Sequence, residues 1–506
     1  VAAAPVWSVD PRTGNPREQV AVEATAQEVD RVVRAAHAVR DALADRTVRA
    51  AFLRTAADLL TGAKEHVVEA ADAETALGPT RLTGELARTA AQLRAFAEVV
   101  EEGAYLDIHI DHEDGSRTPP WPDLRRVKVP LGVVAVYAAS NFPLAFSVPG
   151  GDTTSALAAG CPVVVKAHPD HPATSELCAS LLRRAAAQQG LPEDVVTVIH
   201  GFEAGVELVR HPLVSAVGFT GSVRGGRALF DAAAARPVPI PFHGELGSLN
   251  PVVVTEAAAA ERAEQIGEGL GGSMTMGSGQ FCTKPGFVLA PSGEAGDRLV
   301  KSLTGTVSGT GAGVMLDHRM RDAFVAGVAE RAGLPDVESP VTPGAGGEHT
   351  VAAGFLTVPA RRLAEEGPHD TLLEECFGPV TVIARYDSED EVTAVLSRLP
   401  GNLTATLQTA VDGDDASAAS LLPALVPLAG RVLVNGWPTG VAVAPAQHHG
   451  GPYPATTSTS TSVGATAIER WLRPVSYQSV PDALLPPELR EDNPLGLPRR
   501  VDGRRA

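Results

Sequence analysis

One cysteine sits in the run Gly277-Ser278-Gly279-Gln280-Phe281-Cys282-Thr283-Lys284-Pro285-Gly286. Glycines at both ends, with small polar residues between them, predict a tight, rigid turn that a substrate can approach closely. A thiolate there is a strong nucleophile, and the Cys282 backbone N–H suits an oxyanion forming beside it. A buried structural cysteine is the plain alternative. Two further residues supply what attack on a carbonyl carbon needs. Glu245 lies in Phe242-His243-Gly244-Glu245-Leu246-Gly247-Ser248-Leu249-Asn250-Pro251. Flanked by leucine and glycines, its carboxylate is expected to be poorly solvated, with a pKa raised toward general-base values. Asn141 follows an apolar strand and precedes Phe142-Pro143-Leu144, and its side-chain amide is suited to donate to an oxyanion.

The elements that must position these groups follow from hydrophobic period. Residues 24–104 read as helices, with Val29, Val32, Val33 and Ala36 at helical spacing. Residues 105–127 alternate like a strand and then carry Pro119-Pro120-Trp121-Pro122, which predicts an extended excursion. Strands are expected at 132–138, 161–166, 195–200, 215–220 and 250–255, with helices between them. After Cys282 the alternation resumes, with strands at 287–290, 355–359, 380–385, 403–409 and 432–435. Short apolar strands separated by helices make parallel sheets covered on both faces. In such sheets, ligands bind past the C-terminal strand ends, where Ser140-Asn141, Lys166-Ala167-His168 and Gly218-Phe219-Thr220-Gly221-Ser222 fall. The fold class is therefore α/β, with two doubly wound parallel-sheet domains and a β extension.

The 506 residues suffice for roughly two to four domains, and 44% are hydrophobic. A net charge of −18, from 42 basic and 60 acidic residues, argues against nucleic acid as a partner. The four cysteines contain no CxxC pair, so neither a metal site nor a disulfide scaffold is expected. No apolar run is long enough to span a membrane, and no basic-then-apolar leader opens the chain at Val1. The expected location is the cytoplasm.

Six segments occur together and in order: Asn141-Phe142-Pro143, Lys166, Phe219-Thr220-Gly221-Ser222, Glu245-Leu246-Gly247, Gly279-Gln280-Phe281-Cys282 and Glu375-Cys376-Phe377-Gly378-Pro379. In this order and spacing the chain resembles the NAD(P)-dependent aldehyde dehydrogenase superfamily. The resemblance implies Cys282 as nucleophile, Glu245 as base and Asn141 as oxyanion donor. It implies Lys166 at the adenosine ribose, Gly221 and Ser222 at the pyrophosphate, Glu375 at the nicotinamide ribose and Phe377 beside the ring. It also implies a cofactor-binding domain from 1–104 and 128–255, a catalytic domain from 256–440, and oligomerisation strands in 105–127 and 441–480. A homodimer is expected, with a homotetramer as the alternative. The segment 481–506 reads as an irregular tail, its arginines solvated.

Family members strict for NAD often carry a glutamate three residues after the lysine; here that position is Pro169. NADP is expected to be preferred, with NAD tolerated and His168 or Arg224 as candidate cations. The segments 81–89, 244–251, 279–286 and 472–478 resemble the α-ketoglutarate semialdehyde (2,5-dioxopentanoate) dehydrogenase group, which also resembles long-chain fatty aldehyde dehydrogenases. A ketoacid aldehyde needs cations for its carboxylate, for which Arg88 and Lys284 are candidates. A fatty aldehyde needs an apolar tunnel. Phe142, Phe146 and Trp437 suit either. A CoA-acylating enzyme is the nearest rival. A cysteine hydrolase is a rival from another class and needs a histidine partner, such as His243 or His448-His449.

Overall fold

Val29, Val32, Val33 and Ala36 form the buried stripe of the helix Ala26–Ala38, which Thr25 caps by accepting from the Glu28 N–H. The computed structural model describes residues 3–412 and 414–505. The same physics sets the longest helix, Pro79–Glu102, which starts on a proline and stops at the left-handed Gly103.

Five parallel strands form the first sheet, in the order Val196–Ile199, Val163–Lys166, Val133–Tyr137, Val214–Thr220, Phe242–Glu245. The chain starts at the central strand, winds out to one side, and returns to wind out the other. The crevice between Val133–Tyr137 and Val214–Thr220 is therefore the topological switch point, where a parallel sheet opens to ligands. Asn141 lies just past one of these strands and Gly221-Ser222 just past the other. Lys166 and Glu245 end the strands on either side.

The second sheet has seven strands, in the order Glu338–Val341, Gly354–Pro359, Val380–Tyr386, Phe287–Pro291, Pro251–Val254, Asn402–Gln408, Ala429–Val434. Its antiparallel first strand is absent from the sequence reading. Pro251–Val254 was expected to close the first domain. It pairs instead with Phe287–Pro291 and Asn402–Gln408 in the second sheet. The first sheet ends on Phe242–Glu245, a strand too glycine-broken to show in the hydrophobic pattern. The chain therefore crosses between sheets within residues 246–250, ahead of the expected boundary at 255.

A third sheet joins Leu472–Gln478, Leu124–Pro130, Ile108–Asp111, Arg499–Val501 and Arg504–Arg505. The tail is thus not wholly irregular. Arg499–Val501 runs parallel to Ile108–Asp111 and then turns back on Arg504–Arg505. Arginine-rich strands carry no hydrophobic alternation, which is why the pattern missed them. Arg500, Arg504 and Arg505 are exposed, as expected.

Candidate active site

The cysteine loop follows the helix Glu256–Thr275 and is as tightly wound as its glycines imply. Gly277, Ser278 and Gly279 all take left-handed φ. A Cβ on Gly279 would run into the Gly378 carbonyl, so only glycine lets these two loops meet. Asn250, itself left-handed at φ 54°, donates from Nδ2 to the Cys282 carbonyl (2.8 Å) and the Lys284 carbonyl (2.9 Å). Gln280 donates to the Val314 carbonyl and accepts from the Leu316 N–H. The loop is therefore clamped from two sides, and neither clamp stood out in the sequence.

Asn141 is buried and donates from Nδ2 to the Gln280 carbonyl at 3.1 Å. A primary amide has a second N–H, which remains for an oxyanion. Asn141, Cys282, Gly221, Ser222, Glu375 and Phe377 line one cavity of about 210 Å³. A larger cavity of about 580 Å³ continues past Ser222, Arg224, Gly247, Glu375 and Phe377.

Glu245 is 1% exposed. Its Oε1 meets His449 Nε2 at 2.9 Å, and its Oε2 accepts from the Ser462 hydroxyl at 2.7 Å. His449 Nε2 also stands 3.7 Å from Cys282 Sγ. One atom each from Glu245, Cys282 and His449 thus lies within 4.8 Å of the other two. The expectation of a raised Glu245 pKa is overturned. Burial does push it up, but His449, the Ser462 hydroxyl and Arg470 together bring it below the ordinary carboxylate value. Cys282 moves the other way. Burial, then the charge and hydrogen bond of Glu245, push the thiol well above its usual value. The resting pair is thus a carboxylate beside a protonated thiol. Of the two adjacent histidines singled out in the sequence, His449 reaches the centre. His243 is tied instead to the Arg470 carbonyl and Ser458.

Glu375 is pushed up to about 7, by burial first, against the opposing charge of Lys284 and a backbone hydrogen bond from Ser248. Lys284 does not serve as an exposed carboxylate anchor. It is buried, and its Nζ donates to the carbonyls of Cys376 (3.2 Å) and Val380 (2.6 Å), fixing the Glu375 loop from behind. Trp437 likewise packs on Gly269 of the helix Glu256–Thr275, within that helix's own core. Phe142 and Phe146 do meet near the centre: their rings are 5.4 Å apart, and Phe146 lies 6.1 Å from His449.

Lys166 is lowered to about 8, chiefly by desolvation. His168 stacks on His171, and its pKa falls well below the usual value through burial and the neighbouring positive groups. It is neutral and supplies no cation. Arg224 is exposed at the rim of the larger cavity. A cation that sequence reasoning missed is Arg319, whose Nη2 reaches Asp317 (2.6 Å) and Asp170 (3.5 Å) and whose charge is felt at Lys166. It stands 153 residues past Lys166 in the chain, so only the fold brings them together.

The profile of the "Aldehyde dehydrogenase family" matches residues 2–473. The chain belongs to the aldehyde dehydrogenase family. It is 47% identical to the alpha-ketoglutaric semialdehyde dehydrogenase 2 of Azospirillum brasilense, over 99% of this chain and 97% of that one. It is 41% identical to the alpha-ketoglutaric semialdehyde dehydrogenase of Acinetobacter baylyi, over 95% and 92%. Among solved structures, an NADP-dependent enzyme of E. coli superposes with a TM-score of 0.79 at 23% identity, covering 94% of each chain. The glyceraldehyde-3-phosphate dehydrogenase GapN of Methanocaldococcus jannaschii, complexed with NADP, gives 0.80 at 17% identity, covering 94% and 99%. At such identities these neighbours speak for the fold. Membership of this family makes the chain an aldehyde dehydrogenase, which sets aside the hydrolase alternative.

Proposed function

We propose that this aldehyde dehydrogenase oxidises α-ketoglutarate semialdehyde to 2-oxoglutarate, with NADP preferred over NAD. The observation that carries the reading is that Cys282 and Asn141 line one switch-point cavity while the buried Glu245 stands beside Cys282. The substrate rests on the near full-length relatives at 47% and 41% identity.

The residues present fit a nicotinamide cofactor. A Cβ on Gly247 would stand 2.8 Å from Glu375 Oε2, so glycine keeps the space beside that carboxylate clear. Glu375 suits a ribose hydroxyl, and Phe377 a ring edge. Ser222 caps the helix Val223–Ala234, whose N-terminus favours a pyrophosphate. Lys166 and Arg319 supply positive charge at the adenosine end, Arg319 already meeting Asp317 and Asp170, and Pro169 stands where a glutamate would bind the ribose hydroxyls. Bound nicotinamide supplies the hydride acceptor that turns a thiohemiacetal into a thioester.

The chain's own groups do the rest. The protonated Cys282 thiol cannot attack unaided, and the ionised Glu245 within reach takes its proton as sulfur bonds to the aldehyde carbon. His449 and Ser462 hold that carboxylate ionised and aimed. The oxyanion is received by the second Asn141 N–H and the Cys282 N–H, a placement worth roughly 10²–10³ in turnover. Once free of its proton, Glu245 activates the water that releases the acid. This task separates the enzyme from a CoA-acylating one.

Two measurements test the reading. Cys282→Ala is expected to abolish reduced-cofactor production, and turnover near wild type would refute the nucleophile. The kcat/KM for 2,5-dioxopentanoate is expected to exceed that for decanal, and a preference for decanal would overturn the substrate.

A further inference from the structure

The helix Pro79–Glu102 turns a polar stripe inward: Arg81, Glu85, Arg88 and Gln92. Their spacing of four, three and four residues puts all of them on one helix face. A soluble helix ordinarily buries an apolar stripe, and burying charge without partners costs several kcal/mol or more. Here every member of the stripe keeps at least one buried polar atom without a hydrogen-bond partner among the described residues. These atoms are Arg81 Nε and Nη1, Glu85 Oε2, Arg88 Nη1 and Gln92 Nε2. No ion pair within 4 Å joins Glu85 to either arginine among the described residues, and Glu85 Oε1 is already taken by the N–H groups of Leu144 and Ala145.

The two guanidiniums face the reaction centre. Arg81 lies over Phe281 (4.4 Å) and Phe142 (5.0 Å), and its Nη2 donates to the Asn141 carbonyl at 2.6 Å. Arg88 lies over Phe146 at 5.2 Å, with Nε donating to the Val441 carbonyl at 3.3 Å. Burial lowers the pKa of both guanidiniums, against the charge of Glu85 and, at Arg88, of Glu245 as well. The phenyl rings pack on each guanidinium, and Arg81 Nε and Nη1 and Arg88 Nη1 are left without a hydrogen-bond partner among the described residues. Two cations share one carboxylate on this helix, and that carboxylate already accepts from two backbone N–H groups, so buried N–H donors go unmatched.

We propose that Arg81 and Arg88 bind the carboxylate and adjacent keto oxygen of the substrate, with its aldehyde carbon at Cys282. This rests on the reading above and names the residues that make it selective. Buried N–H donors left idle in the free enzyme would be satisfied by a short, anionic, keto-bearing aldehyde. They would be stranded by an aliphatic one, which is how a polar site rejects an apolar analogue.

The test compares kcat/KM for 2,5-dioxopentanoate with that for pentanal, an uncharged aldehyde of the same chain length. The ratio is expected to favour dioxopentanoate in the wild type. It should fall about 10- to 100-fold in Arg88→Gln and Arg81→Gln, the range for losing hydrogen bonds to a charged group. The loss should fall mainly on KM, and Arg88→Lys should recover part of it. Glutarate, as a carboxylate probe, should compete with the aldehyde in wild type and raise its melting temperature, and should do neither in Arg88→Gln. An equal loss on both aldehydes with glutarate binding retained, or an unchanged ratio, would overturn the assignment. A wild type showing no preference for dioxopentanoate over pentanal would sink the substrate reading itself, whatever the variants do.

Discussion

At Glu245 two opposing effects meet, and the structure decides between them. Burial alone would protonate this carboxylate, while His449 and Ser462 keep it ionised. A base that is ionised at rest can accept the thiol proton at once and later polarise water. Glu245→Gln keeps the shape but exchanges one acceptor oxygen for a donor and cannot take a proton. It is expected to slow the burst of reduced cofactor, because the thiol loses its proton acceptor, and to lower the steady state roughly 10²–10⁴-fold, because the thioester loses its base. A stopped-flow burst as fast as that of the wild type would remove Glu245 from thiol activation, and full steady-state turnover would remove it from deacylation. Glycines and a leucine around Glu245 announced its burial in the sequence. They could not announce the sign of its shift, because the residue that sets it lies 204 positions on, in a segment without regular structure. Lys284 shows the same limit. Its place beside Cys282 suggested a substrate anchor, but two backbone carbonyls claim its ammonium.

Among the elements, those with a strong local code read correctly and those built by distant pairing did not. The strand Val133–Tyr137 is wholly buried and wholly apolar, and the cysteine turn is dictated by its glycines. Arg499–Val501 has no such code. It becomes a strand because Ile108–Asp111 offers an open side and His112 ties it down. The Asp502 carboxylate accepts from the His112 backbone N–H and meets Nδ1 at 2.9 Å, and Glu491 meets Nε2 at 3.2 Å. Both carboxylates raise the His112 pKa above its usual value. A raised histidine stabilises the folded arrangement fully below its unfolded value of about 6.5, and that contribution is lost as pH rises through the folded value. The pair is substantially exposed, so the gain is modest. Amide exchange in Arg499–Val501, corrected for intrinsic rate, is therefore expected to show greater opening at pH 8.5 than at pH 6. His112→Gln should abolish the difference. Equal protection at both pH values in the wild type would show that backbone pairing alone holds the tail.

For the whole molecule, the three largest of five sheets divide the labour. The first supplies the switch point, the second carries the cysteine loop, and the third stands apart from the chemistry. Among the strands that pair on one side only are two of six or seven residues, Leu472–Gln478 in the third sheet and Ala429–Val434 in the second. Long unpaired edges are a liability that proteins cover or blunt with charge. Leu472, Val475 and Tyr477 are half-buried at one such edge, and that strand carries only one charged residue. Pairing between copies through this edge would cover it, so a homodimer in solution is expected. Light scattering of the wild type should give twice the chain mass of 52.3 kDa. Replacing Val475 and Tyr477 with lysine together should shift the protein toward the monomer and lower its melting temperature. Asn141, Glu245, Cys282, His449 and Glu375 all come from one chain, so turnover per subunit is expected to persist where the doubled mass does not. A wild type that stays monomeric at micromolar concentration would mean that these edges are tolerated bare.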